Sequence, residues 1–312
     1  MELFSDLNDR LLFAVPKKGR LHEKCLEFLA GADIQFHRKP RHDIALVKNH
    51  PMALVFLPAA DIAKFVGLGK VDLGITGEDI IAETFLDQAE RQSRIRQVMP
   101  LNFGRCRLAV QTPVKTGPTN VADLVGKRIV TSFEGLTKQY FKALEANQSN
   151  QPAAEITDAA MQTSVEFVGG SVEAACALGL ADAIVDLVES GDTMRAAGLQ
   201  AIGTVLESQA VLIANSRTKF SDLVAMIQAR IEGVIASRKY VYVNYNIRRA
   251  DLEQARDVTP GHRAPTITAL LDPDWVAVSA MVLSAEVANV MDRLKTLGAT
   301  DILVFTISNC RV

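Results

Sequence analysis

The stretch Ala183-Ile184-Val185-Asp186-Leu187-Val188-Glu189-Ser190-Gly191-Asp192-Thr193-Met194 decides how this chain folds. Ala183–Val185 reads as a buried strand that delivers an acidic residue, Asp186, at its carboxyl end. A turn of Ser190, Gly191, Asp192 and Thr193 then leads toward a helix. In α/β sheets ligands sit beyond the carboxyl ends of the strands. Gly191 permits close backbone approach. The amides of residues 191–193, with the hydroxyls of Ser190 and Thr193, suit a phosphate, and Asp186 suits the paired hydroxyls of a ribose. The same turn also reads as an ordinary helix cap in which Asp and Ser serve the backbone. Spacing alone leaves both readings open.

Upstream, strands and helices alternate. Leu11–Val15 is a short apolar strand, followed by a basic turn and an amphipathic helix over Leu21–Ala30 closed by Gly31. Ile44–Val47 and Met52–Leu57 read as strands. Pro58 and Asp61 open a helix ending near Gly69, Val71–Ile75 is a buried strand, and Thr76–Asp79 starts another helix. A second unit begins near Arg107. Its strands are Leu108–Gln111, Ile129–Thr131, Ser164–Val168 and Ala183–Val185. Its helices are Val121–Val125, Leu136–Glu145 and Val172–Leu178, and Asn147–Asp158 is a polar loop. Strands at Leu199–Leu206 and Ala210–Ala214 and a long helix at Phe220–Ser237 follow. This order predicts an α/β protein with two lobes and a cleft. The last part differs: strand Tyr240–Asn246, helix Ala250–Arg256, strands Thr266–Leu271 and Trp275–Val282, helix Ser284–Leu297, strand Ile302–Ile307. That is β-α-β-β-α-β, the ferredoxin-like order.

Composition sets limits. Of 312 residues, 48% are hydrophobic and 22% charged, with a net charge of −2, which suits a folded globular protein and gives no footprint for nucleic acid. No apolar run is long enough to span a membrane. The start, Met1-Glu2-Leu3-Phe4-Ser5-Asp6, lacks a secretory pattern. Cys25, Cys106, Cys176 and Cys310 are scattered, which argues against a zinc site or a disulfide framework. The expectation is a cytoplasmic protein with no dedicated metal site.

Four other stretches carry chemistry. Pro16-Lys17-Lys18-Gly19-Arg20 joins a strand to a helix and suits a polyphosphate, or is a solvated basic turn. Val71-Asp72-Leu73-Gly74-Ile75-Thr76-Gly77-Glu78-Asp79 is neither a Walker A loop nor a dinucleotide fingerprint. Gly169-Gly170-Ser171-Val172-Glu173 places Glu173 on a first helical turn, either as a cap or within reach of a ribose beside Asp186. Thr131-Ser132-Phe133-Glu134, with Lys138 one turn on, is either a cap or faces a diphosphate. The five histidines show no metal-ligand spacing and no nucleophile partner.

Together these stretches resemble the long form of the ATP phosphoribosyltransferases. The likeness covers nearly the whole chain. It includes Pro16–Leu21, Val71–Asp79, Gly104-Arg105-Cys106-Arg107-Leu108, Gly126–Ser132, and the run from Gly170 through Gly179-Leu180-Ala181-Asp182 to Met194. Thr259-Pro260-Gly261, Pro265-Thr266-Ile267 and Asp272-Pro273-Asp274-Trp275-Val276-Ala277 resemble that family's regulatory domain.

The resemblance implies a catalytic core like type II periplasmic binding proteins, with lobe I over 1–106 and 197–236 and lobe II over 107–196. A ferredoxin-like (ACT-like) regulatory domain would occupy 237–312. It implies transfer of phosphoribose from PRPP to ATP, the first step of histidine synthesis. It also implies Mg²⁺ held through substrate, dimers and hexamers, inhibition by histidine, and no separate regulatory subunit. Residue by residue, Ser190, Gly191, Asp192 and Thr193 would hold the PRPP 5-phosphate, while Asp186 and Glu173 orient its ribose. Lys17, Arg20, Arg107 and Lys138 would face ATP phosphates or the leaving diphosphate, and Asp72, Gly74 and Gly77 would line the ATP side. Asp186, Glu173 and Arg20 are the expected catalytic residues. Asn246 and Thr266 would meet histidine, with one departure: some relatives carry an acid where this chain has Asn246. Two readings compete: a pure binding protein on the same two-lobed fold, which leaves the Asp186–Thr193 loop without a role, and a catalytically silent paralogue that only senses histidine.

Overall fold

The structure, a computed structural model, describes residues 7–39, 41–86, 88–149 and 152–311. The chain divides into two compact units, Met1–Cys25 with Phe36–Ser221, and Leu26–Gln35 with Asp222–Val312.

The first unit holds two sheets. Strands β1 (Leu11–Pro16), β2 (Ile44–Leu46), β3 (Met52–Leu57), β4 (Leu73–Gly77) and β5 (Ile95–Pro100) enter the first. The chain then leaves to build the second from β6 (Cys106–Pro113), β7 (Arg128–Thr131), β8 (Ser164–Phe167), β9 (Ala183–Val188) and β10 (Leu199–Ser208). It returns as β11 (Ala210–Asn215). The first sheet runs β2-β3-β1-β4-β11-β5 and the second β10-β6-β9-β7-β8. In each, the strand that follows a crossing lies antiparallel inside the sheet: β11 between β4 and β5, β6 between β9 and β10. β1 is parallel to β3 and β4, and β7 to β8 and β9. This is the two-lobed, type II binding-protein arrangement. The two crossings bring Cys106 opposite Ser208 and Pro100 opposite Val211, so the carboxyl ends of the parallel strands meet near them.

The helices of this unit bury one face each. α1 (His22–Gly31) starts in this unit after the basic turn, where Gly19 has a φ of +89°, and runs into the second from Leu26. α2 (Ala59–Gly67) packs Ile62, Ala63 and Val66 with Ala14, Val211 and Ile213. Gly74 belongs to that contact: a Cβ there would stand 2.7 Å from Ile62 and 3.1 Å from Val66. α3 (Glu78–Phe85) follows β4 directly, and α4 (Glu134–Ser149) lies over the second sheet, whose core includes Leu108, Val110, Phe133, Phe141 and Val185. Short helices at Ala89–Gln92 and Ala174–Ala177, the five-residue α5 (Asp192–Ala196), and 3-10 turns at Val121–Leu124, Ala153–Glu155 and Asp158–Ala160 complete it.

In the second unit α6 (Ser221–Lys239) precedes β12 (Tyr240–Arg248), α7 (Leu252–Val258), β13 (Thr266–Ala269), β14 (Trp275–Leu283), α8 (Val287–Thr296) and β15 (Thr300–Thr306). The sheet order β13-β14-β12-β15, all antiparallel, is ferredoxin-like. Alternate residues of β12 and β14 (Val243, Tyr245, Ile247; Val276, Val278) meet Ala255, Val290 and Leu294 of the helices, as the period of two dictates.

β5 is a strand for which the sequence reading assigned no element. Ile95-Arg96-Gln97-Val98-Met99-Pro100 has mixed exposure because it is an edge strand, so it lacks an apolar run. The helix expected over Val172–Leu178 shrinks to Ala174–Ala177, between Ser171 at a φ of +52° and Gly179 at +71°. The loop expected from Asn147 begins later, since α4 continues to Ser149.

Candidate active site

β9 ends at Val188, and the turn after it is tight because Gly191 adopts a φ of +80°, a left-handed conformation that costs other residues about 1–2 kcal/mol. Within the turn the Ser190 hydroxyl donates to Asp192 Oδ2 at 2.6 Å and accepts from the Asp192 amide at 3.3 Å. Arg195 Nη2 braces it, donating to the Ser190 carbonyl at 3.0 Å and Asp192 Oδ1 at 2.6 Å. These contacts hold the Asp192 carboxyl below its usual range. The first amides of α5 have no acceptor within the helix.

Asp186 stands four residues earlier, opposite Ala109 of β6. Its Oδ1 accepts from the Leu187 amide at 2.8 Å, and Gln111 Nε2 donates to its carbonyl at 3.1 Å. Burial pushes its pKa up, the Leu187 amide offsets part of that, and the Glu173 charge adds to it. Glu173, the other acid expected to act here, makes the smallest of these contributions. Beneath them the buried Thr131 hydroxyl donates to the Val185 carbonyl at 2.7 Å and accepts from the Phe133 amide at 2.9 Å.

The loop faces the first sheet across a cavity of about 230 Å³ lined by Arg20, Cys106, Glu189, Ser190, Thr193 and Met194, among others. Arg20 Nη1 donates to the Gly104 carbonyl at 2.6 Å, on a crossing segment, and Nη2 lies 3.8 Å from Asp79 Oδ2. Asp79 is 1% exposed. Its Oδ1 accepts from the Ser208 hydroxyl at 2.6 Å, and its amide donates back to that hydroxyl at 3.0 Å. A Cβ on Gly77 would overlap Asp79 Oδ1, so Gly77 clears space for this acid. Burial raises the Cys106 thiol, and Arg20 offsets part of that.

Other expected residues lie elsewhere. Asp72 sits before β4, at the end opposite Gly77, where its Oδ2 accepts from the Leu12 amide at 2.9 Å and its Oδ1 from the Thr218 hydroxyl at 2.7 Å. Lys17 pairs with Asp43 at 2.8 Å. Lys138 pairs with Glu134 at 2.7 Å and Asp158 at 3.3 Å. Arg107 is exposed on β6, opposite Val188 and Glu207. None of these four lines the cavity. Asp79 and Cys106, which do bear on it, were legible only as a helix-start acid and an apolar residue. Among the described residues no group of three or more His, Cys, Asp or Glu side chains is placed to hold a metal ion.

In the second unit, Thr266 lines a separate cavity of about 420 Å³ with Tyr242, His262, Ser279 and Arg311. Asn246 does not line it; its Nδ2 donates to Asp301 Oδ2 at 2.9 Å.

Residues 58–233 match the HisG family, described as ATP phosphoribosyltransferase, and residues 237–309 match the HisG C-terminal domain. The chain belongs to the ATP phosphoribosyltransferase family. The family member from Yarrowia lipolytica is 55% identical over 312 residues, all of both chains. That from Schizosaccharomyces pombe is 53% identical over 313 residues, again all of both. Among solved structures, the ATP phosphoribosyl transferase HisG:HisZ complex from Thermotoga maritima aligns with a TM-score of 0.56 and 22% identity, covering 72% of this chain and 97% of that one. That similarity speaks for the fold. Membership makes the chain a phosphoribosyl transferase of the long, two-part form. Among the described residues no helix is long and apolar enough to cross a membrane.

Proposed function

We propose that the chain transfers phosphoribose from PRPP to N1 of the adenine of ATP, releasing diphosphate as the first step of histidine synthesis. One observation carries the residue assignment: the Ser190–Thr193 turn and Arg20 share a cavity, with Asp186 two residues before the end of the strand that leads into it. The turn holds the 5-phosphate through the amides and hydroxyls of residues 190–193. Asp186, with Glu173 beside it, accepts from the ribose hydroxyls and orients C1. Arg20 meets the leaving diphosphate or the phosphates of ATP, and Gly77 acts by seating Asp79 behind Arg20.

Adenine N1 has a free lone pair and no proton to lose, so attack on C1 needs no strong base. The C1–O bond to diphosphate breaks as the N1–C1 bond forms on the opposite face, with inversion. Positive charge develops on the ribose ring in the transition state, and the two carboxylates face that charge. The protein's task is alignment. Asp186 and Glu173 also suit a hydrated divalent cation held chiefly by substrate oxygens, as Mg²⁺ prefers. When bound, Mg²⁺ neutralises the diphosphate.

The core divides as lobe I over 1–106 and 197–236 and lobe II over 107–196, with a regulatory domain at 237–312. Histidine binds that domain near Thr266. Asn246 instead donates to Asp301 on β15, the edge strand opposite the one that carries Thr266. The enzyme works in the cytoplasm, as a dimer when active and a hexamer when inhibited, without a separate regulatory subunit. Purified chain given ATP, PRPP, Mg²⁺ and inorganic pyrophosphatase should form phosphoribosyl-ATP and lose that activity to histidine. A folded sample that forms none contradicts the proposal.

A further inference from the structure

The amino end of α4, the 16-residue helix of the second sheet, is capped by a carboxylate from the other lobe. Glu83 on α3 accepts from the Gly135 amide through Oε1 at 2.8 Å and from the Leu136 amide through Oε2 at 2.9 Å. A carboxylate shared by two first-turn amides satisfies orphan donors and opposes the positive end of the helix dipole. Residue 135 is glycine where this approach is closest: a Cβ there would stand 3.3 Å from Glu83 Oε1 and 3.1 Å from Leu86. Around the carboxylate, Ile80 and Ala82 of α3 and Leu86 just after it pack on the core of the second sheet.

Both ends of this contact lead to the cavity. On α3, one turn before Glu83, Asp79 stands beside Arg20. On α4, the chain entering the helix is tied by the Phe133 amide to Thr131, and by Thr131 to the Val185 carbonyl, one residue before Asp186. Glu83 therefore fixes the strand that carries Asp186 relative to the helix that seats Arg20.

We infer that Glu83 is a positioning residue for phosphoribosyl transfer: it touches neither substrate and aligns the PRPP lobe with the Arg20 lobe. The inference rests on the reading of the site given above. Since misalignment of about 1 Å can cost about 100-fold in rate, Glu83→Ala should lower kcat by about 10- to 100-fold. Glu83→Gln, which keeps one accepting oxygen, should fall between it and wild type. Equilibrium binding of PRPP with Mg²⁺, measured by calorimetry without ATP, should stay within about twofold, because the Ser190–Thr193 turn is intact. Should Glu83→Ala fail to fold, Gly135→Ala retains the carboxylate and displaces it, and should lower kcat with no loss of thermal stability. A merely structural role would lower the melting temperature and leave kcat per folded enzyme unchanged in all three variants, which overturns the inference. A parallel loss of PRPP affinity also overturns it, by placing Glu83 in the binding site. Failure of the wild-type chain to bind PRPP would count instead against the site reading.

Discussion

Arg20 and Asp79 face each other at 3.8 Å, the acid 1% exposed and the base at the cavity wall. An acid this buried persists because every oxygen has a partner: Ser208 serves Oδ1 and Arg20 lies beside Oδ2. The pair also joins the basic turn after β1 to the start of α3.

Asp79→Ala should therefore weaken both the fold and the reaction. Removing one member of a buried pair costs about 3–5 kcal/mol, and the low end applies because Arg20 is partly solvated. The variant should unfold about 3 kcal/mol more easily in urea and lose turnover more than PRPP affinity. Unchanged turnover in the folded variant would show that Arg20 needs no anchor.

Asp186 gives a pH signature. Its folded pKa is raised, chiefly by burial and further by Glu173, so the fold favours its protonated form. That contribution is complete below the unfolded value, about 3.9, and is lost as pH rises through the raised folded value. The stability of wild type relative to Asp186→Asn should therefore fall with rising pH across that window and level off above it. Parallel urea-unfolding midpoints from acid to neutral pH would contradict the shift.

Asp72 is expected to behave differently from the site residues. Both its oxygens accept hydrogen bonds that close the amino end of the first sheet. Asp72→Ala should cost about 1–3 kcal/mol by leaving those donors unmet, with kcat/KM for ATP unchanged. A selective rise in the KM for ATP would return Asp72 to the substrate side.

How far the sequence could be read follows from these residues. Hydrophobic periodicity located most strands, and the β-α-β-β-α-β order of the last unit needed nothing more. The Ser190–Thr193 turn was legible because its elements are consecutive, and the left-handed Gly191 fits the reading. The place of Asp72 was not legible, because a residue beside a glycine-rich strand looks the same at either end of it, and only the pairing shows which end it occupies. The pairing of Lys17 and Lys138 was not legible, because a basic residue's partner, here Asp43 or Asp158, comes from a distant segment. Asp79 and Cys106 stood in noted stretches but without a role, and Glu83 gave no signal, since each draws its meaning from a contact across more than 50 residues or from a crossing strand.

The most direct test of the central claim compares kcat/KM for PRPP between wild type and Asp186→Ala with Thr193→Ala, with ATP saturating and Mg²⁺ present. The account predicts robust phosphoribosyl-ATP formation by wild type. In the double variant it predicts a loss of at least about 100-fold, as ~3 kcal/mol of lost interaction requires, with the fold and histidine binding retained. Equal activity in the two proteins would contradict the assignment of PRPP to this loop.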